Sequence, residues 1–149
     1  YRRICKASLS GVLDTIRTYK KLGIWIELTT LIIPGHNDDE NGLRNIARFI
    51  KNELGAETPW HVSAFYPTYK LLDSKRTPPK TLQKAREIGL EEGIRYVYEG
   101  NIPGSDGENT FCYNCKKAVI RRLGYSITEY RIREGLCSFC GTKIDGIGM

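Results

Sequence analysis

Four of the five cysteines of this chain stand close to its C-terminal end, in the run FCYNCKKAVIRRLGYSITEYRIREGLCSFCGTKIDG over residues 111–146. Cys112 and Cys115 form one C-x-x-C pair, and Cys137 and Cys140 form another. Each pair can bend into a tight knuckle that aims two sulfurs at one point. Two knuckles then supply four thiolates, the donor set of a tetrahedral zinc ion at about 2.3 Å per bond, with iron of the rubredoxin kind as the alternative. Four protein ligands leave no coordination position for water or substrate, so the expected metal is structural. The runs KAVIRRLGY and SITEYRIRE, residues 117–134, predict a hairpin around Gly124 that carries the knuckles toward each other, and Gly141 supplies the positive φ that such a turn requires.

Composition bounds the rest. The chain has 149 residues, 40% hydrophobic and 27% charged, which describes a globular protein of one domain plus a small module. No apolar run approaches the roughly 20 residues that span a bilayer, so no membrane partner is expected. Five cysteines without a secretion signal argue for metal binding in a reducing, cytoplasmic setting rather than a disulfide framework. Cys5 stands apart and is expected to be a partly buried free thiol. The net charge is +6, but the basic residues are spread along the chain, which argues against nucleic acid as a partner.

The elements that must position these residues alternate. Leu9, Val12, Leu13, Ile16, Tyr19 and Leu22 keep helical spacing after a Ser8 or Ser10 cap. Residues 24–33, IWIELTTLII, predict a buried strand stopped by Pro34-Gly35. Asn37 and Glu40 predict a capping box for a helix whose stripe is Leu43, Ile46, Ala47, Ile50 and Leu54, closed by Gly55. Residues 59–66 predict a second strand. Thr77-Pro78-Pro79 opens a third helix that runs to Gly93, and residues 94–100 predict a third strand. This order argues for a parallel sheet. Residues 101–110 form a polar Gly- and Pro-containing loop, so the expected division is an α/β unit over residues 1–105 and a cysteine module over residues 106–149. Three strands make a poor parallel sheet by themselves, and the chain opens on Tyr1 rather than Met. Half of a larger barrel or open sheet is the expectation.

Three stretches carry a resemblance. TTLIIPGHND at 29–38 resembles the fifth barrel strand and following turn of radical S-adenosylmethionine enzymes related to pyruvate formate-lyase activating enzyme. PWHVSAFYPTYK at 59–70 and YVYEGNIPGSDGENTFC at 96–112, followed by the four-cysteine tail, resemble the radical enzyme of the AmmeMemoRadiSam system. The resemblance covers essentially the whole chain and implies a fold: the C-terminal half of a partial (β/α)6 TIM-like barrel, followed by a small zinc-ribbon-like tail with four cysteine ligands. It implies S-adenosylmethionine and a 4Fe–4S cluster as cofactors of the intact enzyme, which would form a 5′-deoxyadenosyl radical. The C-x-x-x-C-x-x-C motif that holds that cluster in the family does not occur in this sequence. The chain alone is therefore expected to be inactive. The implied partners are the N-terminal half of the barrel, covalent or separate, and Memo-like and AMMECR-like proteins.

The resemblance also implies site residues. Leu31, three before Pro34-Gly35, matches an apolar residue that packs on the adenine. The family's histidine near the end of the sixth strand is replaced by Tyr66-Pro67, which leaves His61 or Tyr66 as substitutes. Alternation puts Glu27, Thr29 and Leu31 on one face of the first strand, and His61, Ser63 and Phe65 on one face of the second, toward the barrel mouth. Leu31, His61, Ser63 and Tyr66 are thus the expected cofactor contacts. His36 reads as a solvated turn residue, and Asn101, Glu108 and Asn109 as turn chemistry or substrate contacts. The alternative function is a zinc-ribbon binding module whose basic face is Arg121, Arg122, Arg131 and Arg133, contacting nucleic acid or a protein.

Overall fold

The computed structural model describes residues 1–149, apart from the side chain of Arg3. A short helix α1 (Arg2–Cys5) precedes α2 (Leu9–Lys21), β1 (Leu28–Ile32) and α3 (Glu40–Phe49). A π-helical turn, Ile50–Leu54, extends α3. Then come β2 (Trp60–Ala64), α4 (Pro79–Glu91) and β3 (Val97–Gly100). The three strands form a parallel sheet in the order β1-β2-β3, with Thr29 beside His61 beside Tyr98, and Leu31 beside Ser63 beside Gly100. The α/β alternation and the parallel sheet are as the sequence predicts.

One face of this sheet is closed. Ile32, Trp60, Val62, Ala64 and Val97 pack beneath α3 and α4, which contribute Leu43, Ala47, Leu82, Ala85 and Ile88. Trp60 is wholly buried and its Nε1 donates to Thr30 Oγ1 at 2.9 Å, so the one polar atom of the largest core residue is satisfied. Each fully buried aliphatic side chain here contributes about 1.5–3 kcal/mol. Helix α4 approaches closely because Gly89 has no side chain: a Cβ there would lie 2.8 Å from Val97 and 2.9 Å from Trp60. Buried Thr77 ties the C-terminal ends of the strands to the start of α4. Its hydroxyl donates to Ile32 O and accepts from Phe65 N, while its amide donates to Phe65 O.

The other face is open. Thr29 and Leu31 are exposed, and His61, Ser63 and Tyr98 are half-buried. Helix α2 flanks the sheet without burying any residue. It is held by Arg17–Glu53 and Lys20–Glu57 ion pairs, while Leu9, Tyr19 and Leu22 stay exposed.

Several expectations need correction. The first strand begins at Leu28 rather than residue 24, because pairing starts where β2 offers Trp60 as a partner, and Ile24 is exposed. The second and third strands are likewise shorter, and Tyr96 precedes β3 although its carbonyl accepts from Trp60 N. Asp39, not Asn37, caps α3 by accepting from Gly42 N. Asn37 instead closes the Pro34-Gly35 turn, accepting from Ile33 N and donating to Leu31 O. Ser8 stands at the N-cap of α2, but its hydroxyl bonds to Ser10 rather than to a helix amide. Phe65 is buried, unlike His61 and Ser63, and lies past the end of β2. Cys5 is exposed rather than partly buried.

The tail begins with a 3-10 turn, Asp106–Glu108, and continues as an antiparallel sheet of β4 (Thr110–Phe111), β5 (Ala118–Leu123) and β6 (Ser126–Tyr130). Gly124, φ 57°, makes the β5–β6 turn, so the predicted hairpin is present. It is shorter than expected, because the chain breaks after Tyr130 into a second hairpin, β7 (Ile132–Arg133) and β8 (Leu136–Cys137). Glu134 and Gly135, with φ of 51° and 75°, turn it.

Adding one methyl group should expose the tight α4–sheet contact. Gly89→Ala gains about 1 kcal/mol of helix propensity but overpacks Trp60 and Val97 at about 1–3 kcal/mol. The expected net result is a lower urea midpoint with unchanged slope; a higher midpoint would show that the contact relaxes freely.

Candidate metal centre

The two knuckles are built alike. In the first, Cys112 N donates to Lys117 O and Lys116 N donates to Cys112 O, with Lys116 at φ 61°. In the second, Cys137 N donates to Thr142 O and Gly141 N donates to Cys137 O, with Gly141 at φ 71°. Both turns therefore require a left-handed residue directly after the second cysteine. The sequence shows this at Gly141 and hides it at Lys116, where a non-glycine residue accepts the strain.

The sulfurs of Cys112, Cys115, Cys137 and Cys140 all lie within 4.8 Å of one another. Cys112 and Cys140 are 3.7 Å apart, and Cys115 and Cys137 are 3.8 Å apart. A tetrahedron with bonds of about 2.3 Å has edges of about 3.8 Å, so these distances suit a single ion. Four sulfurs this close leave no room for a cluster of several irons.

Environment separates the thiols. Cys112 is wholly buried, and burial pushes its thiol up to about 11. Cys140 is exposed and bonded to Thr142, which brings it down to about 6. Asn114 Nδ2 reaches toward Cys140 Sγ at 3.9 Å and donates to Thr142 Oγ1 at 2.9 Å, so the first knuckle holds the second.

The tail is docked on the sheet. Its small core, Cys112, Val119, Ile120, Ile132, Cys137 and Ile144, includes Tyr96 from the α/β side. Asp145 accepts from Arg95 Nη1 at 2.8 Å and from Tyr96 OH at 3.1 Å. Burial raises the Tyr96 phenol above its ordinary range, and the bond to Asp145 raises the Arg95 guanidinium further. Glu108 and Asn109 bond within the tail: Glu108 accepts from Gly124 N, and Asn109 accepts from Arg122 N.

A groove of about 1300 Å³ runs between the open sheet face and the tail. His61, Tyr66, Tyr98 and Glu27 line one side, and Arg122, Tyr125 and Met149 the other. His61 Nε2 lies 2.8 Å from Glu27 Oε2, Trp25 Nε1 donates to Glu27 Oε1, and the imidazole stacks on Tyr98 at 5.0 Å. Burial pushes the Tyr98 phenol up.

The four expected cofactor contacts are thus split. Leu31 and Ser63 are register neighbours at the C-terminal end of the sheet, beside Gly100, whose missing side chain leaves room for Ser63 Oγ. His61 sits one row lower, engaged with Glu27. Tyr66 lies beyond the strand end, where its hydroxyl donates to Asn101 O and Arg76 stacks on its ring at 4.3 Å. Asn101 also donates to Ala64 O while holding φ 61°. His36 is an exposed turn residue as expected.

Of the expected basic ribbon face, Arg121, Arg131 and Arg133 are exposed. Arg121 and Arg131 both pair with Glu129, and Arg122 turns inward to Glu108 O and Thr110 Oγ1. Glu27, expected on the face of the first strand, precedes β1, and its role as partner to His61 was not legible. Nothing in the sequence marks Arg95.

No family model matches this chain. It is 48% identical over 147 residues to an uncharacterized protein of Methanocaldococcus jannaschii, a match covering 97% of this chain and 44% of that protein. The chain thus spans less than half the length of the curated relative it matches. Among solved structures, a domain of pyruvate-formate lyase-activating enzyme from Bacteroides vulgatus aligns with a TM-score of 0.56 and 16% identity, over 67% of this chain and 58% of that chain. That likeness is one of fold.

Metal binding should strengthen as pH rises, because each thiolate must first lose its proton. Cys140, at about 6, contributes to this dependence mainly in acid, whereas Cys112, at about 11, contributes throughout the neutral range. A chelator challenge at several pH values is expected to strip metal fastest at low pH; retention that improves on acidification would contradict the thiolate site. Cys137→Ser should lose the metal and unfold the tail while the helix signal of the α/β unit persists in circular dichroism.

Proposed function

We propose that this chain is the C-terminal part of a radical S-adenosylmethionine enzyme resembling pyruvate formate-lyase activating enzymes, of the AmmeMemoRadiSam kind. In this reading residues 1–105 are half of a partial barrel, and residues 106–149 are a zinc-ribbon-like module with zinc at the four cysteines. The observation that carries it is the three-stranded parallel sheet, covered by helices on one face and open on the other, in a fold shared with an activating-enzyme domain. Barrel strands present one face to helices and the other to the interior.

The cysteines here do not fit the enzyme's 4Fe–4S cluster, since four of them converge on one small tetrahedron and Cys5 has no partner at the needed spacing. The cluster would come from the rest of the barrel, and with it the electron that cleaves S-adenosylmethionine. This chain's own residues support a wall. Leu31 offers an exposed apolar surface beside Ser63 at the carboxyl end of the sheet, where parallel-strand folds place their ligands. Tyr66, anchored by Asn101 and Arg76, limits that end against water. His61 is held by Glu27 lower on the same face. The partners in this reading are the preceding barrel half and Memo-like or AMMECR-like proteins, in the cytoplasm. In the binding-module alternative the basic face is partly neutralised, since Arg121 and Arg131 share Glu129.

The test compares this chain with the longer Methanocaldococcus protein, both supplied anaerobically with iron, sulfide and a reductant. Chromatography should detect 5′-deoxyadenosine from the longer protein and none from this chain alone. Failure of the longer protein to cleave S-adenosylmethionine while carrying a full cluster would overturn the proposal. Cleavage by this chain alone would overturn the assignment of the cluster to the other half.

A further inference from the structure

Arg95 is held from two directions by segments that only a joined pair of knuckles brings together. Its guanidinium lies 4.3 Å from the ring centroid of Tyr113, a residue inside the first C-x-x-C. Its Nη1 donates to Asp145, which follows the second C-x-x-C, at 2.8 Å. The first knuckle and the segment after the second are far apart in sequence, and the four converging sulfurs, with the Asn114–Thr142 bond, fix their mutual position. The backbone of the same short segment leads directly into β3. Arg95 N donates to Ala56 O at 2.8 Å, and Tyr96 O accepts from Trp60 N at 3.0 Å, at the start of β2. Tyr96 OH bonds Asp145 twice, donating to its carboxylate and accepting from its amide. Two residues further along, Tyr98 stacks on His61 in the groove.

We propose that Arg95 is a positioning residue that couples metal occupancy of the tail to the sheet face of the groove. With metal bound, Tyr113 and Asp145 clamp Arg95 and hold residues 95–98 against β2. Without it, the two knuckles separate, the clamp loses one or both sides, and the tail wall of the groove, including Arg122 and Tyr125, is released. The groove is then complete only in the metal-loaded chain. The inference stands on the metal site and not on the radical-enzyme reading, so it survives failure of that reading. Coupling of this kind is reciprocal: whatever metal does for the sheet contact, the sheet contact does for metal affinity.

The experiment follows amide hydrogen exchange in the full chain, with metal bound and after chelation, alongside metal affinity from competition with a chelating dye. In the native chain, metal removal is expected to speed exchange at Trp60 and Arg95 about 10-fold while the amides of Leu82 and Ala85 in α4 keep their protection. Arg95→Ala is expected to show fast exchange at Trp60 already with metal bound, little further change on chelation, and metal affinity weakened about 10-fold. Arg95→Lys, which keeps the charge toward Asp145 but loses the flat stack on Tyr113, should fall between. Asp145→Asn tests the second arm if Arg95→Ala does not fold. Native metal affinity in the variants, or Trp60 exchange in the native chain that ignores metal removal, would overturn the proposal.

Discussion

Convergence of four sulfurs is the constraint on which the tail depends. The segment from Thr110 to the C-terminus buries only a handful of apolar side chains, and one member of their cluster, Tyr96, belongs to the sheet side. A core that small cannot offset the conformational entropy of ordering its residues, and small modules of this kind gain their stability from a structural metal. Everything that distinguishes the tail follows. Both knuckles adopt the same hydrogen-bonded turn, the hairpins are short, and Lys116 accepts a left-handed backbone because the sulfur positions demand it.

The sheet poses the opposite problem. Its helix face is closed by conventional packing around Trp60, and Thr77 fixes the strand ends. Its other face is left with a row of side chains that are neither core nor simple surface: Leu31, Ser63, His61 and Tyr98. Burying such a row requires further chain above it. The tail covers part of the distance, and the groove of about 1300 Å³ is the space between the two. Helix α2 behaves likewise, since the apolar stripe expected from its sequence has no residue wholly buried.

Much of this was legible in the sequence where local chemistry decides. The cysteine spacing pointed to the metal site, and apolar periodicity with Pro and Gly punctuation marked the helices and strands. Alternation sorted the faces of each strand, and the polarity of the two sets put Leu31 and Ser63 on the same side. Ends were less legible, because a strand stops where its partner stops: Ile24 to Glu27 have the right composition but no neighbour. Caps were misread between Asn37 and Asp39 because both residues can accept an amide, and only the turn geometry assigns them. The long-range partners were hidden altogether. No spacing rule connects Arg95 to Tyr113 and Asp145, or Glu27 to His61, since each pairing exists only once the fold has brought distant segments together.

X-ray absorption at the edge of the bound metal tests the central claim most directly. A single metal held by Cys112, Cys115, Cys137 and Cys140 predicts one shell of four sulfur scatterers at about 2.3 Å and no neighbouring metal. A mixed shell containing nitrogen or oxygen, or a metal–metal distance, would contradict a closed four-sulfur site.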